Sequence, residues 1–368
     1  MAELPEGFDL EALLAPIAGD TPVGADLRED YSPTSLYFRL RDARGEARAA
    51  ERAADAEATE SAVPAEWRTV RELATEALTT QGKDLEIAAW LTEALLRSDG
   101  LRGLIAGSRL MAGLAENFWD DLFPKPDDEG IATRVAPVAG LNGVGGEGTL
   151  LQPLRKLILF SRPDGTPVQF WRYEQSVEVA GIGDATRRQQ RLDAGVLPYD
   201  AVEKEARIAA AGFATVLEEA VAAAAAWRAL AQVLDERAGA DSPPTSAVAE
   251  VLEKMRAVAQ IFATRTGAEG DGAAATVPGT GTAAAAQAAG GAPAAGALGS
   301  REDALRSLAQ IAEFFRRTEP MSPLSYMLQE AVRRARMTWP ELLEEIVPDV
   351  GSRSAILTSL GIRPPPTE

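Results

Sequence analysis

The feature that most constrains the fold is the stretch 266–299, which consists almost entirely of alanine, glycine, threonine and proline and holds no aromatic residue. Such a segment buries too little apolar surface to offset the conformational entropy that ordering it would cost. We therefore predict a flexible linker over 266–299, with a root-mean-square span of about 30–35 Å. The residues before and after it must then fold as separate parts.

The first of these parts shows helical periodicity from residue 64 onwards. The stretch 83–100 carries two apolar stripes, which predict a deeply buried helix that stops at Gly100, and a further helix follows over about 101–116. Residues 35–60 alternate arginine, alanine and glutamate, which is typical of a solvated helix. The helix that begins near residue 64 has one apolar face, formed by Trp67, Val70, Leu73, Ala74, Ala77 and Leu78.

The region from 150 to 265 is less uniform. Residues 200–237 form one alanine-rich helical run, DSPPT interrupts it, and a second helix follows over 246–264. These two helices are expected to pack as a hairpin. Between 150 and 198, the segments LRKLILF and VQFWRY are equally compatible with short strands and with helical turns.

The tail, 300–368, contains helix start signals, including capping boxes at Ser300 with Asp303 and at Thr338 with Glu341. A helical unit of this size, without a disulfide, supplies only about 3–5 kcal/mol from its core. We therefore predict that it is stabilised by self-association. The sequence thus predicts a mainly α protein with an N-terminal helical domain, a middle region with a helical hairpin, a flexible Ala/Gly linker and a C-terminal oligomerisation domain, over 1–160, 161–265, 266–299 and 300–368.

Histidine and cysteine are both absent from the 368 residues. This removes the usual general base at neutral pH, every thiol nucleophile and the imidazole and thiolate ligands of zinc. We therefore expect no enzyme, no cofactor and no metal. An enzyme that uses carboxylates alone stays open as an alternative, although no Asp or Glu pair stands out.

The formal net charge is −18 and the pI is about 4.6, which argues against nucleic acid as a partner. Apolar runs are too short to span a bilayer, and the acidic N-terminus lacks the positive region of a signal peptide. Together with the absence of cysteine, these features predict a cytoplasmic protein without membrane insertion.

Two local motifs are weak. Residues 143–148 fit the G-x-G-x-x-G fingerprint of dinucleotide sites, but Glu147 and the nearby prolines oppose that reading, and we interpret the segment as an inter-helix loop. Residues 127–129 are acidic but lack the alternation of a calcium-binding loop, so we interpret them as a solvated loop.

Two groups of residues are candidates for structural or partner contacts. The first lies in the N-terminal domain, where Lys83 and Asp84 begin the buried helix and two tryptophans lie within apolar clusters. The second lies in the tail, where EPMSP forms a joint between helices or a subunit contact, and a tryptophan near a helix start packs in the core, in an interface or in both. The candidates are Lys83, Asp84, Trp90, Trp119, Glu319, Pro320, Met321, Ser322, Pro323 and Trp339.

These residues resemble the TssA family, whose members are assembly components of the bacterial type VI secretion system with an ImpA-type N-terminal domain. The chain is similar to the shorter members, and the similarity includes nearly everything except the linker. One difference is Met321, where the family commonly has histidine. The motifs that carry the resemblance are LLAPIAGDTPVGADLRED, GKDLEIAAWLTEALLRSDGLRGLIAG, NFWDDLFPKPDDE, Arg134, GTLLQPLRKL and, in the tail, REDALRSLAQIAEFFRRTEPMSPLSYMLQEAVRRARMTWPELLEEIVPD.

The resemblance implies a helical, cytoplasmic, non-enzymatic protein that forms homo-oligomeric rings through its C-terminal region. It also implies contacts with baseplate, tube and sheath components and, in some members, with the membrane complex. A monomeric or dimeric helical adaptor, similar to a chaperone in its binding role, is the alternative that composition alone allows.

Overall fold

The mainly α fold is confirmed by the computed structural model. It describes residues 3–56, 63–128, 130–144, 147–263, 301–318 and 324–338, with 341, 342, 345, 349 and 353. This described part contains thirteen α-helices and one two-stranded sheet. The chain divides into two compact units, Met1–Ala275 and Thr276–Glu368. The domain limits at 160 and 265 and the flexibility of 266–299, which lies outside the described residues, stay predictions.

The first unit is built around one long central helix. Its first five helices are α1 (Leu10–Leu14), α2 (Leu36–Ala56), α3 (Glu66–Thr80), α4 (Leu85–Phe118) and α5 (Ala132–Asn142). The central helix α4 packs against α3, α1 and α5. All six predicted face positions of α3 are buried, which confirms its amphipathic pattern.

Helix α4 is interrupted at the predicted stop. Gly100 has φ 60° and ψ −136°, so the helix consists of two segments that meet at a non-helical residue. Close packing follows directly, because a Cβ atom on Gly103 would lie 1.9 Å from the carbonyl oxygen of Leu95. Glycine is therefore required at both positions, for backbone conformation at one and for space at the other.

The prediction of a merely solvated helix over 35–60 is wrong in one respect. Helix α2 ends at Ala56 and buries Leu36, Leu40, Ala43 and Ala47 against the domain. Two of its charged residues, Arg44 and Glu51, form ion pairs with α4 rather than facing only solvent. The alternating charges therefore reflect pairing between helices, which a single-sequence pattern does not distinguish from solvation.

Strands and helical turns both occur in the ambiguous region. The elements are α6 (Leu151–Lys156), β1 (Ile158–Ser161), β2 (Pro167–Gln169), α7 (Phe170–Ala180) and α8 (Ala185–Asp193). The segment LRKLILF contains the end of α6 and the start of β1, and VQFWRY contains the end of β2 and the start of α7. The two strands are antiparallel and pair Phe160 with Val168.

The single helix predicted over 200–237 is wrong, because the run is divided into α9 (Tyr199–Ile208) and α10 (Ala210–Ala238) at Ala209. The break allows α9 to pack on α7 while α10 packs on α4 and α11 (Ser246–Ala263). The predicted hairpin of α10 and α11 is confirmed. The expectation that apolar runs are too short to span a bilayer is wrong for one segment, Ala210–Asp241, which is long and apolar enough by length and composition alone. Within the unit, α10 packs on α4 and α11.

In the second unit, α12 (Arg301–Thr318) and α13 (Leu324–Ala335) pack against each other. The capping box predicted at Thr338 is confirmed, because its backbone N–H donates to Glu341 Oε2 at 2.7 Å. Six tail candidates lie outside the described residues, and the predictions for them are unchanged: Glu319, Pro320, Met321, Ser322, Pro323 and Trp339.

Candidate functional site

The four N-terminal candidates are all buried around the first half of α4 and the segment that follows its end. Lys83 is fully buried, and its ammonium donates to the carbonyl oxygens of Leu13 and Leu78, each at 2.7 Å. This side chain therefore joins the end of α1 to the end of α3. Burial lowers the pKa of Lys83 to about 8, because water no longer stabilises the charged form.

Asp84 is the N-cap residue of α4. One carboxylate oxygen accepts from the backbone N–H groups of Glu86 and Ile87 at 2.8 Å and 3.2 Å, which satisfies two of the free donors of the first turn. The other oxygen accepts from Arg28 Nη1 at 2.6 Å. Burial raises the pKa of Asp84, and Arg28 and the N–H groups act in the opposite direction.

Arg28 links three carboxylates at this end of the domain. Its guanidinium lies 3.0 Å from Asp26 and 2.6 Å from both Asp84 and Glu86. It also lies 5.1 Å from the ring centroid of Tyr37, whose hydroxyl donates to Glu86 at 3.1 Å. The polar groups at the start of α4 therefore satisfy one another.

Trp90 lies one turn further along and packs on α2. Its ring centroid is 5.7 Å from that of Tyr37, and the guanidinium of Arg44 lies 5.3 Å from it. Arg44 also binds Glu93 with two hydrogen bonds of 2.5 Å and 2.9 Å. Burial raises the pKa of Glu93, but Arg44, with smaller contributions from Thr149 and Arg97, outweighs this effect and holds the pKa below its ordinary value.

A second ion pair joins the same helices with the charges exchanged. Arg97 on α4 donates to Glu51 on α2 at 2.5 Å and 3.0 Å, and its guanidinium lies 4.0 Å from the ring centroid of Trp67. Both pairs use two parallel hydrogen bonds, which give more directional specificity than a single contact. Helix α2 is therefore held in one register against α4.

Trp119 lies just after α4 and is 9% exposed. Arg134 of α5 is 5.2 Å from its ring centroid and donates to the carbonyl oxygens of Trp119 and Pro124 at 2.5 Å and 3.1 Å. Because Arg134 is itself buried, the residues between α4 and α5 are tied to the core by a charged donor.

Each of the four candidates thus contributes to packing. Among the described residues, no group of three acidic side chains is arranged to hold a metal ion. The G-x-G segment follows helix α5, which includes Pro137, rather than a strand, so the strand–turn–helix geometry of a dinucleotide site is not present there. The hydrogen bonds and ion pairs of these residues support a rigid domain.

Sequence reasoning missed the arginines that complete this network, Arg28, Arg44 and Arg97. It also missed Glu93, although this residue is the only charged one in the stretch 87–96 of a buried helix. A charge inside an apolar stripe requires a partner, so Glu93 was the signal that pointed to a buried ion pair.

Comparisons with known proteins agree with the resemblance. Residues 14–143, which contain all four N-terminal candidates and their ion pairs, match the family described as ImpA, N-terminal, type VI secretion system. Over 361 residues the chain is 27% identical to the type VI secretion system component TssA1 of Pseudomonas aeruginosa, which covers 93% of this chain and 96% of that protein.

The fold is also similar to a solved structure. It is the N-terminal domain, including the conserved ImpA_N region, of the TssA component of the type VI secretion system from Burkholderia cenocepacia. The TM-score is 0.58 at 29% identity, and the match covers 72% of this chain and 99% of that structure.

Proposed function

Because the chain belongs to the TssA family of type VI secretion system components, we propose that it is a non-enzymatic assembly factor of that system. In this proposal it is a cytoplasmic scaffold that forms homo-oligomeric rings. The ring engages baseplate, tail tube and sheath components and promotes assembly of the tail.

The observation that carries this proposal is the extent of the similarity to TssA1. It covers 93% of the chain, so both compact units are included, whereas the ImpA match is confined to residues 14–143. A protein that shares only the N-terminal domain would not support a whole-chain role.

The second unit has the properties expected of a self-assembly module. Of its described residues, Leu305, Ala312 and Val332 are buried. Apolar side chains at Ile311, Tyr326 and Met327 are exposed, the last two by 64% and 65%. Large apolar groups on so small a unit favour association, because contact with another copy removes them from water.

Many copies of the N-terminal domain on one ring would bind a repetitive partner with avidity. The buried ion pairs described above suit this role, since a rigid domain loses little conformational entropy when it binds. Contacts with the membrane complex, which some family members make, belong to the same proposal.

The proposal is tested by the solution mass of three proteins: the full chain, residues 300–368 and residues 1–275. Light scattering after size exclusion should give large discrete oligomers for the first two and a much smaller species for the third. A full chain that stays monomeric at all concentrations would instead support the helical adaptor. The third protein is a unit whose counterpart in Burkholderia cenocepacia is known as a separate structure.

A further inference from the structure

Helix α8 is unusual in the first unit because none of its residues is buried. It packs against α7, and its nine residues are fewer than an isolated helix needs to be stable in water. Asp184 caps it by accepting from the N–H groups of Thr186 and Arg187 at 2.8 Å and 3.0 Å. The sequence thus specifies this helix locally but gives it little to pack against within the unit.

Helix α8 is net positive in a chain whose net charge is −18, because it carries three arginines against one carboxylate, Asp193, which accepts from Gln189 at 2.8 Å. Arg187 and Arg191 stand one turn apart, where like charges repel, and Arg188 donates to the carbonyl oxygen of Ile182 at 3.0 Å. Across the ranges that the structure describes, no carboxylate forms an ion pair with any of these three arginines. Val177, which is 44% exposed near the end of α7, adds an apolar group.

The same unit carries a complementary acidic surface where α4 ends. Five carboxylate residues there are exposed. Lys125 is the only basic residue among them along the chain, and Arg237 of α10 lies beside Glu116, Asp120 and Asp121. We call this surface the acidic corner; its described members are Glu116, Asp120, Asp121, Asp127 and Asp128.

The two surfaces lie near opposite ends of α10. The acidic corner is at its C-terminal end, where Arg237 donates to the carbonyl oxygen of Glu116 at 2.8 Å. The chain segment that contains α8 connects α7 to α9. Both ends of this segment lie near the start of α10, because the rings of Tyr173 on α7 and Tyr199 on α9 are 6.2 Å apart. Phe262 lies 6.1 Å from Tyr173 and 4.9 Å from Phe213, in the first turn of α10.

From Phe213 to Arg237 a straight α-helix extends about 36 Å at 1.5 Å per residue. The two ends of α10 at which these surfaces lie are therefore well separated, and within the molecule α8 packs against α7. A contact between two different surfaces at opposite ends joins neighbouring copies head to tail, and such contacts close into rings or continue into filaments.

We propose that the cationic face of α8 docks on the acidic corner of the next copy of this chain. The contact joins the first units of adjacent subunits, independently of any contact between their tails. The biological role of this contact rests on the proposed ring scaffold, to which it adds a second kind of subunit contact. The contact itself is a property of residues 1–275 and is tested on them alone.

A charge-exchange experiment on residues 1–275 tests this contact. Sedimentation equilibrium up to about 1 mM protein in 50 mM NaCl should show self-association that weakens at least tenfold in 300 mM NaCl, because salt screens exposed charges. The association constant should fall at least tenfold for the R187E/R191E variant alone and for the D121K/D128K variant alone. An equimolar mixture of the two variants should recover it, since each supplies one unaltered surface.

The matched control is R68E/R228E, which changes net charge as much as R187E/R191E does but at exposed positions of α3 and α10. It should associate as the wild type does. Circular dichroism checks that each variant keeps its helices. The contact is refuted if wild-type 1–275 stays monomeric under these conditions, if the control loses as much as R187E/R191E, or if the mixture fails to associate. The masses of the full chain and of 300–368 test the ring separately.

Discussion

Glu93 shows what a buried charge contributes to this domain. Its carboxylate is fully buried, and its closest cation is Arg44 on another helix. An ion pair in such a place gains little net stability, because desolvation opposes the Coulomb attraction. Removal of one partner nevertheless costs much more, since it leaves the other charge in an apolar interior.

We therefore expect Arg44→Met to lower the free energy of unfolding of residues 1–275 by about 3–5 kcal/mol. Arg44→Met combined with Glu93→Leu should recover most of that loss, because both charges are then absent. The control is Arg41→Met, whose exposed pair with Asp42 at 3.2 Å contributes less than about 1 kcal/mol. Urea denaturation measures all three, and equal losses for Arg44→Met and Arg41→Met would contradict the argument.

Lys83 links stability to pH. Burial lowers its pKa from 10.5 to about 8, so between these values the unfolded chain binds more protons than the folded one. Unfolding free energy therefore rises with pH across this window, by about 3 kcal/mol for this shift. A neutral amine keeps two hydrogens for the carbonyl oxygens of Leu13 and Leu78, so the contacts remain.

The measurement is an NMR titration of the five lysine side chains. One resonance, assigned by its loss in Lys83→Met, should titrate near pH 8. The difference in unfolding free energy between wild type and Lys83→Met should grow between pH 8 and 10.5. If the Lys83 resonance titrates above pH 10, the burial argument is wrong.

At the scale of elements, the break in α4 is decided by one backbone conformation. Gly100 has positive φ, and Leu157 Cδ2 would lie 3.8 Å from an added Cβ, which is an ordinary contact. An alanine there is therefore strained by its backbone and not by a clash. We expect Gly100→Ala to destabilise residues 1–275 by about 1–3 kcal/mol.

Gly45 provides the matched comparison. It lies inside α2, and an added Cβ would meet nothing within 4 Å. Gly45→Ala should raise the melting temperature, since alanine gains roughly 0.5–1 kcal/mol over glycine within a helix. Thermal denaturation should therefore show a lower melting temperature for Gly100→Ala and a higher one for Gly45→Ala. A lower melting temperature in both variants would show that the argument about φ is wrong.

The segment 143–263 shows where local patterns stop being sufficient. Residues 200–237 are helical at nearly every position, as predicted, but α9 ends at Ile208 and α10 begins at Ala210. Alanine favours helix on both sides, and Gly212, the nearby residue that disfavours helix, lies inside α10 and not at the break. The local sequence therefore does not place the break at Ala209. The different packing partners of α9 and α10 decide it.

At the scale of the whole molecule, the composition of 266–299 predicts independent units. It holds neither lysine nor arginine, after which trypsin cleaves, but it holds many alanines, after which elastase cleaves. Limited elastase digestion of the full chain should cut first within 266–299, because exposed segments without packing are preferred cleavage sites. Mass spectrometry should then find two stable fragments, and first cuts within 64–263 would contradict the prediction.

The sequence by itself determined the helical class, the amphipathic face of α3, the stop at Gly100 and the hairpin of α10 and α11. These depend on neighbours three or four residues apart or on a single backbone conformation. Tertiary structure alone decided the partners of the buried charges. Arg44 and Glu93 are separated by 49 positions, and no local period relates two side chains that meet only when α2 packs against α4.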